Sequence, residues 1–272
     1  MNPSKRLPWL IVSALLLCPP AFADAEPGPA RLVADLTPGS VTAYASPRGF
    51  AQIGNRSVFL RGDDEHRLAL WVTDGTVEGT DELGVLCPPC ELAGPLGSTG
   101  TVAFYYVSSG SPDYEMTIWR TDGTPAGTFP LTEGLSLSVS QAMPPTASIQ
   151  GGILFFAACT AELGCELWAS DGSPAGTALV GEILPGSPGA GVLHLAASGD
   201  RAFLIVDIHG EPTSLWVADG RARTLRRVGT VPGARALAAA AGRAFFIAQD
   251  VRDGGREVWV SDGSAQGTRP VT

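Results

Sequence analysis

One short motif recurs five times along this chain and leaves little freedom over its fold. It reads L-W-V-T-D-G-T at 70–76, I-W-R-T-D-G-T at 118–124, L-W-A-S-D-G-S at 167–173, L-W-V-A-D-G-R at 215–221 and V-W-V-S-D-G-S at 258–264. The five tryptophans, Trp71, Trp119, Trp168, Trp216 and Trp259, are 48, 49, 48 and 43 residues apart. A fixed period of this length is the signature of a repeat architecture, in which each unit is sealed only by its neighbours.

Within a unit, the apolar runs are short and separated by Gly, Asp and Pro, which is strand punctuation. An apolar or β-branched run precedes each tryptophan: Ser57–Leu60, Val102–Val107, Ile153–Ala158, Ala202–Ile208 and Ala244–Ala248. A shorter run comes before it, as at Ala147–Gln150, and a fourth run follows the Asp-Gly turn, clearest at Thr177–Leu184. Each unit therefore reads as a four-stranded meander. Leu70, Trp71 and Val72 are consecutive, as are Leu215, Trp216 and Val217, so both faces of the tryptophan strand are apolar and each sheet must lie between two others. Radially stacked blades meet that demand, and the expected fold is all-β, a β-propeller of about five four-stranded blades. An open β-repeat array, as a fragment of a larger propeller, is the alternative. Burying one indole ring per unit would contribute about 2–3 kcal/mol each.

The turn is D-G-[TS]-x-x-G-T in four repeats. Asp74, Asp122, Asp171, Asp219 and Asp262 are placed to cap it through backbone N–H groups two residues on, and Gly75, Gly123, Gly172, Gly220 and Gly263 can take positive φ there. The fourth copy departs from the pattern. Asp219-Gly220-Arg221-Ala222-Arg223-Thr224 is a residue shorter and lacks the second glycine, so its turn must be differently shaped.

These motifs resemble the bacterial ELWxxDGT repeat. Repeat three is closest to it, with Glu166-Leu167-Trp168-Ala169-Ser170-Asp171-Gly172-Ser173, then Leu179-Val180 and Leu184-Pro185-Gly186-Ser187. The resemblance covers nearly all of the chain after residue 23. It implies an exported, propeller-like bacterial protein and supplies no catalytic residue to carry over.

Residues 1–23 read as a signal peptide, with Lys5 and Arg6 ahead of an apolar stretch too short to span a bilayer and Ala21-Phe22-Ala23 as the cleavage site. Cys18 follows Leu17, where a lipid-attachment signal wants a small residue. Residues 24–272 are expected to form one domain, with repeats at 41–90, 91–138, 139–187, 188–233 and 234–272. Residues 31–40 match the fourth-strand phase and are expected to close the ring on the last repeat. In this reading Leu32–Leu36 takes the outer position and the C-terminal tail, around Pro270-Val271, frays.

The formal charge is −9 for the whole chain and −11 once Lys5 and Arg6 are removed. Such a surface argues against nucleic acid and anionic membranes as partners. Four cysteines remain in the exported part. Cys159 and Cys165 flank a hairpin turn and are expected to pair, and Cys87 and Cys90 to close a small loop. No nucleophile elbow, H-E-x-x-H or P-loop is present, and His66, His194 and His209 are scattered, so no catalytic residue is named. Tyr105 and Tyr106 sit in a predicted strand as core residues. No cofactor is expected. Calcium at the Asp-Gly turns would need more ligands than one carboxylate per turn.

In an up-and-down meander the connections between second and third strands share one end. Those connections hold Asp63, Asp64 and Glu65; Asp113 and Glu115; Glu162; Asp207 and Glu211; Asp250 and Asp253. They form the candidate binding face, an acidic rim for a basic partner. The expected function is a non-enzymatic, monomeric interaction or scaffold module at the cell envelope or outside the cell, with a protein or glycan partner. The rival readings are a hydrolase or lyase with its site at the mouth of a central channel, and a cation-dependent adhesion module.

Overall fold

The computed structural model describes residues 46–62, 67–87, 92–108, 116–132, 135–137, 146–160, 162–185, 190–250 and 254–271. All of them belong to one compact unit. Residues 1–23, read above as a signal peptide, and the 31–40 segment lie outside the described residues.

Five antiparallel sheets follow one another along the chain, each an up-and-down meander whose strands pair in sequence order. Blade 1 is β1 (Arg48–Ile53), β2 (Arg56–Gly62), β3 (Leu68–Thr73) and β4 (Asp81–Cys87). Blade 2 is β5 (Leu92–Ser98), β6 (Ala103–Ser108), β7 (Met116–Thr121) and β8 (Phe129–Pro130). In blade 3 a short strand, β9 (Ser136–Leu137), precedes β10 (Ala147–Gln150), β11 (Ile153–Thr160), β12 (Gly164–Ser170) and β13 (Ala178–Gly181). Blade 4 is β14 (Ala190–Ser198), β15 (Arg201–Ile208), β16 (Ser214–Asp219) and β17 (Thr224–Thr230), and blade 5 is β18 (Arg235–Ala240), β19 (Arg243–Gln249), β20 (Arg256–Ser261) and β21 (Arg269–Pro270). No helix occurs among the described residues. The inner strand of blade 3 comes in two pieces, since β10 pairs with Ile153–Phe156 of β11 and β9 with Ala158 and Cys159.

The blades are joined through their first strands. Gly54 N–H donates to Gly100 O at 2.7 Å and Ser98 Oγ to Gln52 O at 2.6 Å. Further round, Gly199 N–H donates to Gln150 Oε1 at 3.0 Å and Gly242 N–H to Ser198 Oγ at 2.8 Å. Between blades 2 and 3 the first strands pack through Ile149 against Gly97, and the blades stack face to face as in a β-propeller.

Four apolar clusters fill the four seams between consecutive blades. Second strands carry most of this burial, and β6 is buried at every position. Tyr105 points into the seam with blade 1 and Tyr106 into the seam with blade 3. Trp119, Trp168, Trp216 and Trp259 each pack toward the preceding blade. Their rings are half-buried rather than enclosed, because third strands lie toward the blade's outer side, so each contributes less than full burial would. Trp71 packs against none of these four clusters and lies under the Arg61 guanidinium, 5.2 Å from its ring centroid. Among the described residues no apolar cluster joins blade 5 to blade 1. Phe50 on blade 1 and Phe245 and Val258 on blade 5 are exposed.

The C-terminal tail is seated and does not fray. Pro270 pairs with Trp259 and Arg269 with Val260, and Val271 N–H donates to Val258 O at 2.8 Å. β21 covers only the end of β20 next to the turn, whereas β17 pairs with β16 along its whole length, from Asp219 to Ser214.

Candidate functional site

The two ends of the blade array differ in chemistry. At one end lie the Asp-Gly turns, built as closed hydrogen-bond circuits. In blade 3, Asp171 Oδ1 accepts from Ser173 N at 2.8 Å and Ser173 Oγ at 2.7 Å, while Ser173 Oγ accepts from Gly176 N at 2.9 Å. Ser170 Oγ accepts from Gly172 N at 3.0 Å and meets Thr177 Oγ1 at 2.8 Å. Blades 1, 2 and 5 repeat the circuit around Asp74, Asp122 and Asp262. It explains every fixed letter of the motif. The second glycine is needed because a Cβ at Gly79, Gly127, Gly176 or Gly267 would sit within 2.1 Å of the Asp carboxylate. The Ser173 and Thr76 bonds hold Asp171 and Asp74 below the ordinary carboxylate range, and Ser264 does the same for Asp262. For Asp122 burial opposes ionisation, but the Thr124 bonds and nearby Arg120 prevail.

Arginines tie neighbouring turns together. Arg56 Nη1 in blade 1 donates to Gly123 O at 3.0 Å in blade 2, and Arg201 Nη2 in blade 4 donates to Asp262 O at 3.0 Å in blade 5. Blade 3 has Ile153 at the corresponding position, behind Gly151-Gly152, and the seam to blade 4 is crossed the other way. There Arg223 Nη2 donates back to Gly176 O at 2.9 Å. The shortened turn that carries it is capped by Asp219, whose Oδ1 accepts from Arg221 N at 3.0 Å and Ala222 N at 2.7 Å.

Gly220 does not take the positive φ expected from the repeat. In the fourth turn that conformation has moved to Arg223, at φ 50°. Gly220 is needed for close approach instead, since a Cβ there would lie 2.7 Å from the Phe155 ring of blade 3. The result is a cleft of about 360 Å³ between the third and fourth turns, lined by Gly151, Gly152, Ile153, Asp171, Arg221 and Arg223 among others. Arg223 Nη1 is buried there without a hydrogen-bond partner. At the rim Arg221 Nε donates to Asp200 Oδ2 at 2.6 Å.

The opposite end carries the connections between second and third strands. Asp207 and Glu211 are exposed there, as is Glu162. Asp250 is 4% exposed and folded into its own turn, its N–H donating to Gly255 O and its carbonyl accepting from Gly254 N, both at 2.8 Å. Asp63, Asp64, Glu65, Asp113, Glu115 and Asp253 lie outside the described residues. Cys159 and Cys165 face each other across the β11–β12 hairpin and are disulfide-bonded. Cys87 is disulfide-bonded as well, to a partner outside the described residues. Among the described residues no group of three or more His, Cys, Asp or Glu is placed to hold a metal ion.

One buried acid escaped the sequence reading. Glu166 is fully enclosed, and its carboxylate accepts from Ile183 N–H and, at 3.3 Å, from Leu184 N–H just beyond β13. Burial raises its pKa against the opposing pull of these two bonds. The available signal was the first letter of the E-L-W motif, shared only with Glu257 among the five repeats.

No protein-family model matches the chain, and no curated protein sequence does. Solved structures do resemble it in fold. TolB from Acinetobacter baumannii is 10% identical over 82% of this chain and 53% of its own, with a TM-score of 0.44. An acylaminoacyl peptidase from Pyrococcus horikoshii is 13% identical over 83% of this chain and 38% of its own, at 0.48. The β-propeller domain of the Trilobed protease from Pyrococcus furiosus is 13% identical over 84% and 70%, at 0.43. The chain thus spans about half the length of the first and under two fifths of the second.

Proposed function

We propose that this protein is an exported, non-catalytic interaction module that presents its hairpin end to a basic partner. The observation that carries the reading is the contrast between the ends. The Asp carboxylates at one end are taken up in capping their own turns, whereas Glu162, Asp207 and Glu211 at the other are exposed on hairpins that every blade directs the same way. An acidic rim on a rigid scaffold favours a cationic partner through long-range attraction and fixes its orientation through the spacing of the charges. The cross-hairpin disulfide is consistent with an oxidising compartment, and no helix among the described residues is long and apolar enough to cross a membrane.

The test uses the mature chain and polyarginine as a first basic probe, across a salt series. Binding should be strongest at low salt and weaken about tenfold or more toward physiological ionic strength, as screening of exposed charge requires. The combined changes D207N and E211Q, and separately D63N, D64N and E65Q, should weaken it without moving the melting temperature. Unchanged affinity in both variants would remove the acidic end from consideration.

A further inference from the structure

We infer that the cleft between the third and fourth Asp-Gly turns is a second binding site, one that takes a compact oxyanion, a carboxylate or a phosphate group. It lies at the end of the molecule opposite the hairpins and stands independently of the function proposed above.

Four observations converge on this seam. The repeat breaks its own pattern here, replacing the self-satisfied D-G-[TS]-x-x-G-T circuit by Arg221-Ala222-Arg223, so two cations stand where the other turns put small neutral residues. The facing blade has Ile153 where blades 1 and 4 have an arginine that fills the seam, and nothing lies within 4 Å of where a Cβ on Gly152 would be, which leaves open space. Arg223 is held in the left-handed region, a conformation that a long side chain rarely adopts and that Gly or Asn would adopt with less strain. Backbone strain of this kind persists where the surroundings or a function demand it. Finally, Arg223 Nη1 is buried with no acceptor, while Nη2 is spent on Gly176 O.

A buried guanidinium nitrogen lacking an acceptor is satisfied by an oxygen anion, and a planar fork suits a carboxylate or phosphate edge. Nη1 has no hydrogen bond to give up, so a side-chain rotation that brings it to an entering oxyanion would cost only the Nη2 bond to Gly176 O. Arg221 engages Asp200 through Nε, and its terminal nitrogens stand at the rim as the second contact. Asp171 also lines the cleft and Asp200 pairs with Arg221 at its rim, so the two arginines meet two carboxylates; Asp171 Oδ1, however, already accepts two bonds from Ser173, and Arg223 Nη1 is left without an acceptor. The cleft volume fits a small organic acid or a phosphate monoester rather than a polymer.

The experiment is an amide NMR titration of the mature protein with sodium phosphate, sodium acetate and sodium chloride at matched ionic strength. Saturable shifts at Gly151, Gly152 and Gly220 with phosphate or acetate, and not with chloride, are expected, and whichever saturates first identifies the oxyanion. R223N removes the guanidinium while relieving the backbone, so it should fold and abolish the saturable shifts. R221A, at an exposed site, should weaken them several-fold. Shifts that are the same for all three salts, or that survive in R223N, would overturn the site.

Discussion

Gly127 and Asp122 illustrate how tightly single residues are specified in the repeat. A methyl group at Gly127 would lie 2.1 Å from the Asp122 carboxylate, so G127A must displace the cap or distort the turn. The expected cost is about 1–3 kcal/mol, the range for overpacking a fitted site. In D122A the same glycine substitution should cost much less, since the overlap is gone. A double-mutant cycle by urea denaturation should therefore show marked non-additivity, and additive losses would mean that the two groups do not collide. Titration separates the acids by sign. Asp74, Asp122, Asp171 and Asp262 ionise more readily folded than unfolded, so their contribution is present above the unfolded value of 3.8 and is lost as pH falls through their lower folded values. Glu166 behaves oppositely. Its folded pKa lies above 4.5, so the folded state holds the extra proton, and its contribution falls as pH rises from 4.5 through the raised value. The stability of the parent relative to E166Q should accordingly decline across that window. A rise would show that the two backbone bonds outweigh burial.

At the level of strands and turns, the sequence was legible wherever one rule acted alone. The runs before each tryptophan match β2, β6, β11, β15 and β19 to within two residues at either end. In β6, β11 and β15 an unbroken run buried on both faces marks the strand, whereas β19 alternates and is bounded by Arg243 and Gln249. The hairpin pairing of Cys159 with Cys165 was equally visible, since six residues of separation allow little else. Its removal in C159S/C165S should cost about 2 kcal/mol on chain-entropy grounds, a shift in melting temperature of about 4–8 °C, and leave the other four blades' amide spectra unchanged. Features that depend on two repeats at once stayed hidden. The reversal of the seam arginine and the transfer of positive φ from Gly220 to Arg223 follow from the loss of one residue in one turn. Neither Ile153 nor Arg223 announces it singly. The proposed acidic rim rests on a list of residues, and Asp250 shows the weakness of such lists, since a turn can fold its own acid inward.

On the scale of the whole molecule, the first and last blades carry exposed apolar side chains, Phe50 on one and Phe245 and Val258 on the other. Glu166 grips the backbone 17 and 18 residues further on. In blade 5, β21 pairs with β20 only at Trp259 and Val260. The 31–40 segment has Leu36 and Thr37 in the phase of Ile183 and Leu184, and we propose that it closes the ring on the last repeat. Removing Asp24–Leu36 should then lower the melting temperature by several degrees and promote oligomers, whereas removing Arg269–Thr272 should cost the few hydrogen bonds of β21. No loss on the first deletion would refute the closing role. The four filled seams carry a kinetic consequence as well. A blade held on two sides can open only after a neighbour has let go, so in the chain lacking Asp24–Leu36 amide exchange should begin at blades 1 and 5 and reach blade 3 last. Restoring the segment should erase that order, because a circle offers unfolding no place to start.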